Sequence, residues 1–161
     1  IRGDDNFDTA FAKSVAIIAD VKAYNVNGGS SSATTWHTRD LNTELDDPEN
    51  IVTIASNQFT LQAGTYLIEW SAPAYATDRN PTRLQNITDS TTDSEGTSAY
   101  NGVDATTISI GAKVITLTSA KSFEIQHYTT VAVATVGLGV SSNVSGQNSV
   151  FTLVKIHKIG A

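Results

Sequence analysis

Apolar and polar residues alternate at period two along most of this chain, in short runs separated by turn signals, which predicts strands throughout. Over residues 14–26, Val15, Ile17, Ala19, Val21 and Ala23 share one parity, and Asp20 and Lys22 share the other with Ile18 and Tyr24. The β-branched density there favours a strand over a helix. A loop follows at 27–32 (NGGSSS), then a short irregular strand over 36–42, a turn at 46–50 and another short strand over 51–55. The clearest pattern is Phe59 to Trp70. Phe59 and Leu61 alternate with polar neighbours up to Ala63-Gly64, after which Tyr66, Ile68 and Trp70 alternate on the opposite parity. This predicts a hairpin or a kinked, bulged strand, with Gly64 supplying the backbone freedom. Pro73 suggests a strand end or an edge.

Beyond it, residues 78–81 read as a loop, 83–88 as a strand, 89–95 as a polar turn and 96–100 as a short strand. Residues 106–117 and 123–128 read as strands around the turn Ser119-Ala120-Lys121. This second unit echoes the first: Ile115 and Leu117 match Phe59 and Leu61, while Phe123, Ile125 and His127 match Tyr66, Ile68 and Trp70. Gly137 and Gly139 interrupt Val136, Leu138 and Val140, leaving room for another backbone or a bulky neighbour. The last strand spans 149–159, with Val150, Val154 and Ile156 assigned to one face and Phe151, Leu153 and Ile159 to the other. A surface strand should be apolar on one face only. Two apolar faces on the first and last strands therefore predict a core on one side and a neighbouring subunit on the other, with Ile18, Tyr24, Phe151, Leu153 and Ile159 as the interface residues. About ten short strands with no convincing helix give an all-β sandwich or jelly roll.

With 161 residues, 40% hydrophobic and 16% charged, the chain is long and apolar enough for one folded domain, assigned to residues 14–161 behind an acidic lead-in at 1–13. A formal charge of −6 argues against nucleic-acid binding, and no apolar run approaches the length of a spanning helix, so membrane insertion is not expected. Cysteine and methionine are absent. Without cysteine there is no disulfide framework or thiolate metal site, and the start Ile1-Arg2-Gly3 suggests a domain from a longer protein.

Phe59-x-Leu61-x-Ala63-Gly64-x-Tyr66-x-Ile68, the small residues Ser71-Ala72-Pro73-Ala74 and the closing Phe151-Thr-Leu-Val-Lys-Ile156 resemble a C1q/TNF-like jelly-roll domain. More narrowly, residues 36–44 (WHTRDLNTE), 58–69 (QFTLQAGTYLIE) and 83–89 (RLQNITD) resemble the C1q-like domains of bacteriophage virion proteins, those of cyanophages above all. The resemblance implies a ten-strand jelly roll that forms a homotrimer on a virion surface, at a tail-fibre tip or on the capsid. It departs from the collagen-linked animal members in lacking a Gly-X-Y repeat. Its expected partners are two copies of itself and either a host cell-surface glycan or protein, or another virion protein.

Enzymatic machinery is not expected. His37, His127 and His157 lie in separate segments, with no His-x-His or His-Glu-x-x-His spacing, and no Gly-x-Ser-x-Gly elbow occurs. No cofactor is implied, apart from a weak calcium option at two acidic clusters: Asp46, Asp47 and Glu49, and Asp89, Asp93 and Glu95. Neither fits the EF-hand pattern, and solvated turns explain both. Arg2-Gly3-Asp4 spells an integrin tripeptide, read as chance. Trp36, Tyr75 and Tyr100 are candidates for stacking on sugars or anchoring a partner. Loops at 76–81, 89–101 and 129–135 are the expected presenting segments, with Tyr75, Asp78, Arg79, Asn80, Tyr100 and Asn101 as contact residues.

Overall fold

The computed structural model describes residues 14–161. The lead-in segment at 1–13, with its Arg2-Gly3-Asp4 tripeptide, lies outside the described residues. The described residues form thirteen strands and no helix: β1 (Val15–Lys22), β2 (Thr35–Thr38), β3 (Thr43–Asp46), β4 (Val52–Ala55), β5 (Gln58–Leu61), β6 (Gly64–Tyr75), β7 (Asp78–Arg79), β8 (Thr82–Asn86), β9 (Thr91–Glu95), β10 (Tyr100–Asn101), β11 (Thr106–Leu117), β12 (Lys121–Thr129) and β13 (Ser149–Gly160). One sheet has the order β11-β6-β13-β1-β3. The facing sheet has the order β4-β5-β12-β8-β9, with β2 also paired to β12, and β7 and β10 form a two-stranded ribbon.

The Phe59–Trp70 unit is neither a hairpin nor one kinked strand. β5 belongs to the second sheet and β6 to the first, so the chain turns a corner between layers at Gln62-Ala63. The parity switch at Gly64 is the sequence trace of that corner: Phe59, Leu61, Tyr66 and Ile68 all end up between the sheets. Gly64 takes a φ of 149°, and a Cβ there would press on the Tyr66 ring. The echoing unit makes the same move from β11 to β12. At both corners the chain thus passes from one layer to the other, as in a jelly roll. The core between them includes Ile18, Phe59, Leu61, Ile68, Trp70, Leu84, Phe123, Ile125, Val154 and Ile156, with Phe59 stacked on Phe123 at 5.5 Å. Each such side chain contributes roughly 1.5–3 kcal/mol through burial.

β4 and β5 form a true hairpin, whose turn residues Ser56 and Asn57 are both left-handed (φ 53° and 64°), as a tight two-residue turn requires. Pro73 lies inside β6, which has β11 on one side and β13 on the other. The β13 pairing ends at Ser71, so only β11 runs beside the proline. Residues 91–95, expected as part of a polar turn, are edge strand β9, which is too exposed to carry an apolar pattern.

The terminal strands differ from expectation in parity. In β1, Ala16 and Ile18 are fully buried, while Val15, Ile17 and Val21 lie partly exposed on the other side. Ile18 is thus core, out of a neighbour's reach. In β13 the register against β1 shifts between Ala19↔Leu153 and Val21↔Val150, so that Phe151 and Thr152 together oppose Asp20. This bulge turns both Phe151 and Thr152 inward, and Val154 and Ile156 follow inward beyond it. Phe151 fills the space left by Gly139, where a Cβ would sit 2.3 Å from its ring, so it too is internal. Leu153 and Ile159 keep outward positions, at intermediate and exposed levels, and Tyr24 is exposed in the loop after β1.

Candidate functional site

Two surfaces stand apart from an ordinary solvated sandwich. The first is the outer face of the five-stranded sheet. Strand β11 places Ile108, Ile110 and Val114 outward at more than half exposure, while Ser109 and Leu117 on the other parity are buried. Leu67 and Pro73 of β6, Leu153 of β13, and Val15 and Ile17 of β1 occupy partly exposed outward positions on neighbouring strands. A hollow of about 450 Å³ opens here between Glu69, Ser71, Ile110, Ala112, Leu153 and Lys155. Of the interface residues expected from sequence, Leu153 lies on this face. The β11 and β6 contributions were missed, although Ile108 and Ile110 against Ile115 and Leu117 already show apolar residues on both parities.

The second surface gathers the predicted loop residues at one place. The ribbon pairs Tyr100 with Arg79 and Asn101 with Asp78. Asn101 is buried. Its Oδ1 accepts the Thr77 N–H at 2.7 Å, and its Nδ2 donates to the Ala74 carbonyl at 2.8 Å and to Thr107 Oγ1 at 3.2 Å. Asn80 is also buried, donating to the Asp78 carbonyl at 2.8 Å and accepting from Thr107 Oγ1. These two asparagines therefore build the loops and do not present themselves. The backbone N–H of Arg79 donates to Thr130 Oγ1, which in turn donates to Asp78 Oδ2 at 2.9 Å, so the 129–131 segment is tied in as well. On this frame Tyr100 is 64% exposed, beside a depression of about 490 Å³ lined by Arg79, Pro81, Ser98, Ala99 and Tyr100. The Arg79–Asp78 ion pair, at 3.4 Å with an exposed arginine side chain, adds little stability. Tyr75 donates its hydroxyl to Asp104 at 2.7 Å, and that bond to a carboxylate raises the phenol pKa above its ordinary value. Residues 89–95 lie elsewhere, on and beside β9.

The acidic clusters have other partners. Asp47 accepts the backbone N–H groups of Ile51 and Val52, closing its own turn. Asp89 pairs with Lys121 at 2.6 Å and, with Asp93, accepts from the Asn86 amide. No three His, Cys, Asp or Glu side chains converge as a metal cage among the described residues. His127 is fully buried and donates Nε2–H to the Asn80 carbonyl at 2.8 Å, leaving Nδ1 without a partner. Burial, reinforced by the nearby Arg39 charge, pulls its pKa down to about 3, so the ring is neutral at pH 7. His37 hydrogen-bonds to the Ser32 backbone, and His157 approaches Glu69 at 3.6 Å. His37 of β2 lies directly across from His127 of β12, while His157 stands apart on β13.

No protein-family model matches the sequence, and no curated protein matches it. Solved structures do match in fold. The globular domain of zebrafish complement 1qA aligns with a TM-score of 0.57 at 14% identity, covering 91% of this chain and 97% of that one. Murine APRIL at pH 8.0 aligns with a TM-score of 0.58 at 10% identity, covering 91% and 98%, and at pH 5.0 with a TM-score of 0.59 at 12% identity, covering 89% and 98%. From β1 to β13, then, this chain is a C1q/TNF-like jelly-roll domain in its fold.

Proposed function

We propose that the domain is a non-enzymatic virion module that assembles as a homotrimer and displays its loops to a host cell surface, at a tail-fibre tip or knob. The observation that carries this reading is the apolar outer face of the five-stranded sheet, with Ile108, Ile110 and Val114 exposed beside partly covered Leu67 and Leu153. Water-facing isoleucines clustered on one sheet face mark a surface that another protein covers. The C1q/TNF-like fold supplies the expected occupant, two further copies of the chain. The phage setting rests on the resemblance of residues 36–44, 58–69 and 83–89 to cyanophage virion domains. Three copies of the Tyr100–Arg79 surface on one rigid body gain avidity from weak individual contacts. The ligand would be a glycan or protein of the host envelope, and the location the outside of the virion.

Light scattering on the purified domain tests the assembly, with a mass of three chains as the expected result and a concentration-independent monomer as the contrary one. Attachment is tested by binding of labelled trimer to host cells and by its loss in the double variant Arg79→Ser, Tyr100→Ser. A second reading, a capsid decoration or architectural knob, uses the same trimer. Binding to capsid or tail protein in place of host cells would select it.

A further inference from the structure

The outer face of the second sheet carries an arrangement that neither assembly nor the loop surface uses. Trp36 of β2 and Tyr128 of β12 meet edge to face at 5.4 Å between ring centroids. Arg83 of β8 reaches across β12 and lays its guanidinium over the Trp36 ring, 4.1 Å from the centroid. Gln126 Oε1 accepts both Arg83 Nε–H and Nη2–H, at 2.8 and 2.6 Å. Gln126 itself is aimed by Glu124, whose Oε2 accepts from Gln126 Nε2 at 2.8 Å and from Thr38 Oγ1 at 2.9 Å, while Oε1 accepts from Gln58 Nε2 at 3.0 Å. Glu124 is only 8% exposed, and its two oxygens are occupied by neutral donors.

The arginine's orientation is unexpected for a stabilising surface charge. Its cross-strand neighbour on β9 is Glu95, an exposed carboxylate. Arg83 makes no ion pair with it, and turns to a neutral amide and an aromatic ring instead. Its positive charge is thus held in place without being neutralised. The Nε/Nη2 edge is spent on Gln126. The Nη1/Nη2 edge remains, and Nη1 bonds to no described residue. That edge matches a planar carboxylate in two parallel hydrogen bonds. The adjacent aromatic pair offers apolar surface for the C–H face of a pyranose ring. An open sheet face suits a chain lying across it.

We propose that the Trp36–Arg83–Tyr128 strip binds a uronic-acid-containing polysaccharide, with a sugar carboxylate on the Nη1/Nη2 edge of Arg83 and a pyranose ring against the aromatics. This site is separate from the loop surface and needs no second protomer, so one oligosaccharide binds per chain.

Calorimetric titration of the full chain with galacturonate, glucuronate-containing and mannuronate oligosaccharides, and with a neutral galactan oligosaccharide as control, tests it. At least one uronate should bind with one site per chain, and the neutral control should not. Arg83→Gln should weaken binding by about tenfold or more, the loss expected for a charge-assisted pair. Arg83→Lys keeps the charge but not the fork and should also weaken it, which covers the case of a poorly folding glutamine variant. Arg79→Gln, at the loop surface, should leave binding unchanged. Failure of every uronate to bind, equal binding of the neutral control, or sensitivity to Arg79 in place of Arg83 would each overturn the proposal.

Discussion

Arg39 shows how much one residue can hold in a sandwich of this kind. It is 1% exposed, yet it has no direct carboxylate partner among the described residues. Its Nε donates to Thr152 Oγ1 at 2.8 Å, Nη2 to the Leu138 carbonyl at 2.7 Å and Nη1 to the Pro73 carbonyl at 3.2 Å. The loop at Leu138 is thereby tied to the paired strands β6 and β13, and burial lowers the guanidinium pKa to about 10 against the opposing pull of Asp20 and Asp40. Arg39→Met should cost about 3 kcal/mol or more in a urea unfolding titration, because it strands buried acceptors. His127 makes a prediction of a different kind. Its folded pKa of about 3 lies below the ordinary value of 6.5, so the unfolded chain binds the extra proton first. The stability that His127 contributes is therefore complete above pH 6.5 and is lost as pH falls toward 3, at up to about 1.4 kcal/mol per pH unit. Asp20 acts with the opposite sign: burial raises its carboxyl pKa, so its cost in the native state is relieved as the pH drops. His127→Gln retains a donor for the Asn80 carbonyl, and should flatten the stability profile between pH 6.5 and 5. A profile as steep in the variant as in the parent would place the proton elsewhere.

At the scale of elements, strand existence was legible and strand facing was not. Periodicity placed β11 at residues 106–117, matching Thr106–Leu117, and located β6, β8, β12 and β13 within a few residues. It also identified the repeat of corner units: Phe59 and Leu61 give way to Tyr66, Ile68 and Trp70 on the opposite parity, and Ile115 and Leu117 give way to Phe123, Ile125 and His127 after one inserted residue that keeps the parity unchanged. It read the corner as a hairpin or a kinked, bulged strand, since these and an interlayer crossing all need a flexible residue between two alternating runs. Facing failed in β1 and β13, whose two parities are both apolar. In β13 the bulge at Phe151-Thr152 also breaks the alternation on which any face assignment relies. The loop surface was legible as a cluster of polar and aromatic residues, but the burial of Asn80 and Asn101 depends on partners remote in sequence, Thr107 for Asn80 and Thr77 and Ala74 for Asn101. Gly111 shows what a strand glycine can encode. A Cβ there would lie 2.0 Å from Trp70 Cζ2, and Trp70 donates Nε1–H to Thr82 Oγ1 at 2.8 Å. Gly111→Ala should displace the indole, break that bond and cost about 1–3 kcal/mol. A shift in tryptophan fluorescence with a lowered unfolding midpoint would register it; an unchanged spectrum would mean that the sheet edge yields in place of the ring.

For the whole molecule, the question is what covers the outer face of the five-stranded sheet. The second sheet's outer face is polar apart from its aromatic pair, with Thr38, Gln58, Thr60, Arg83, Gln85, Ser122 and Gln126 at outward positions, and needs no cover. The first sheet's outer face carries Ile108, Ile110 and Val114 instead, on an edge strand. That difference gives the molecule one apolar and one polar outer face. An edge strand with exposed isoleucines is an aggregation hazard in a lone protomer, and closed assembly removes it. Ile110 borders the hollow with Leu153 and Lys155, and its side chain is about half exposed. Ile110→Asp therefore places a carboxylate where it meets water in an isolated protomer, with little expected effect on the fold. Within an assembly the same change buries a carboxylate at each copy of the contact, a desolvation cost of several kcal/mol that the single Lys155 ammonium of the hollow offsets only in part. The expected outcome is a folded monomer by light scattering, with the far-ultraviolet signature of the parent. The parent's unfolding temperature should rise with protein concentration and the variant's should not, because only an assembly gains stability by mass action. If Ile110→Asp retains the parent's mass, or if the parent's unfolding temperature is independent of concentration, the apolar face is covered by something other than copies of this chain.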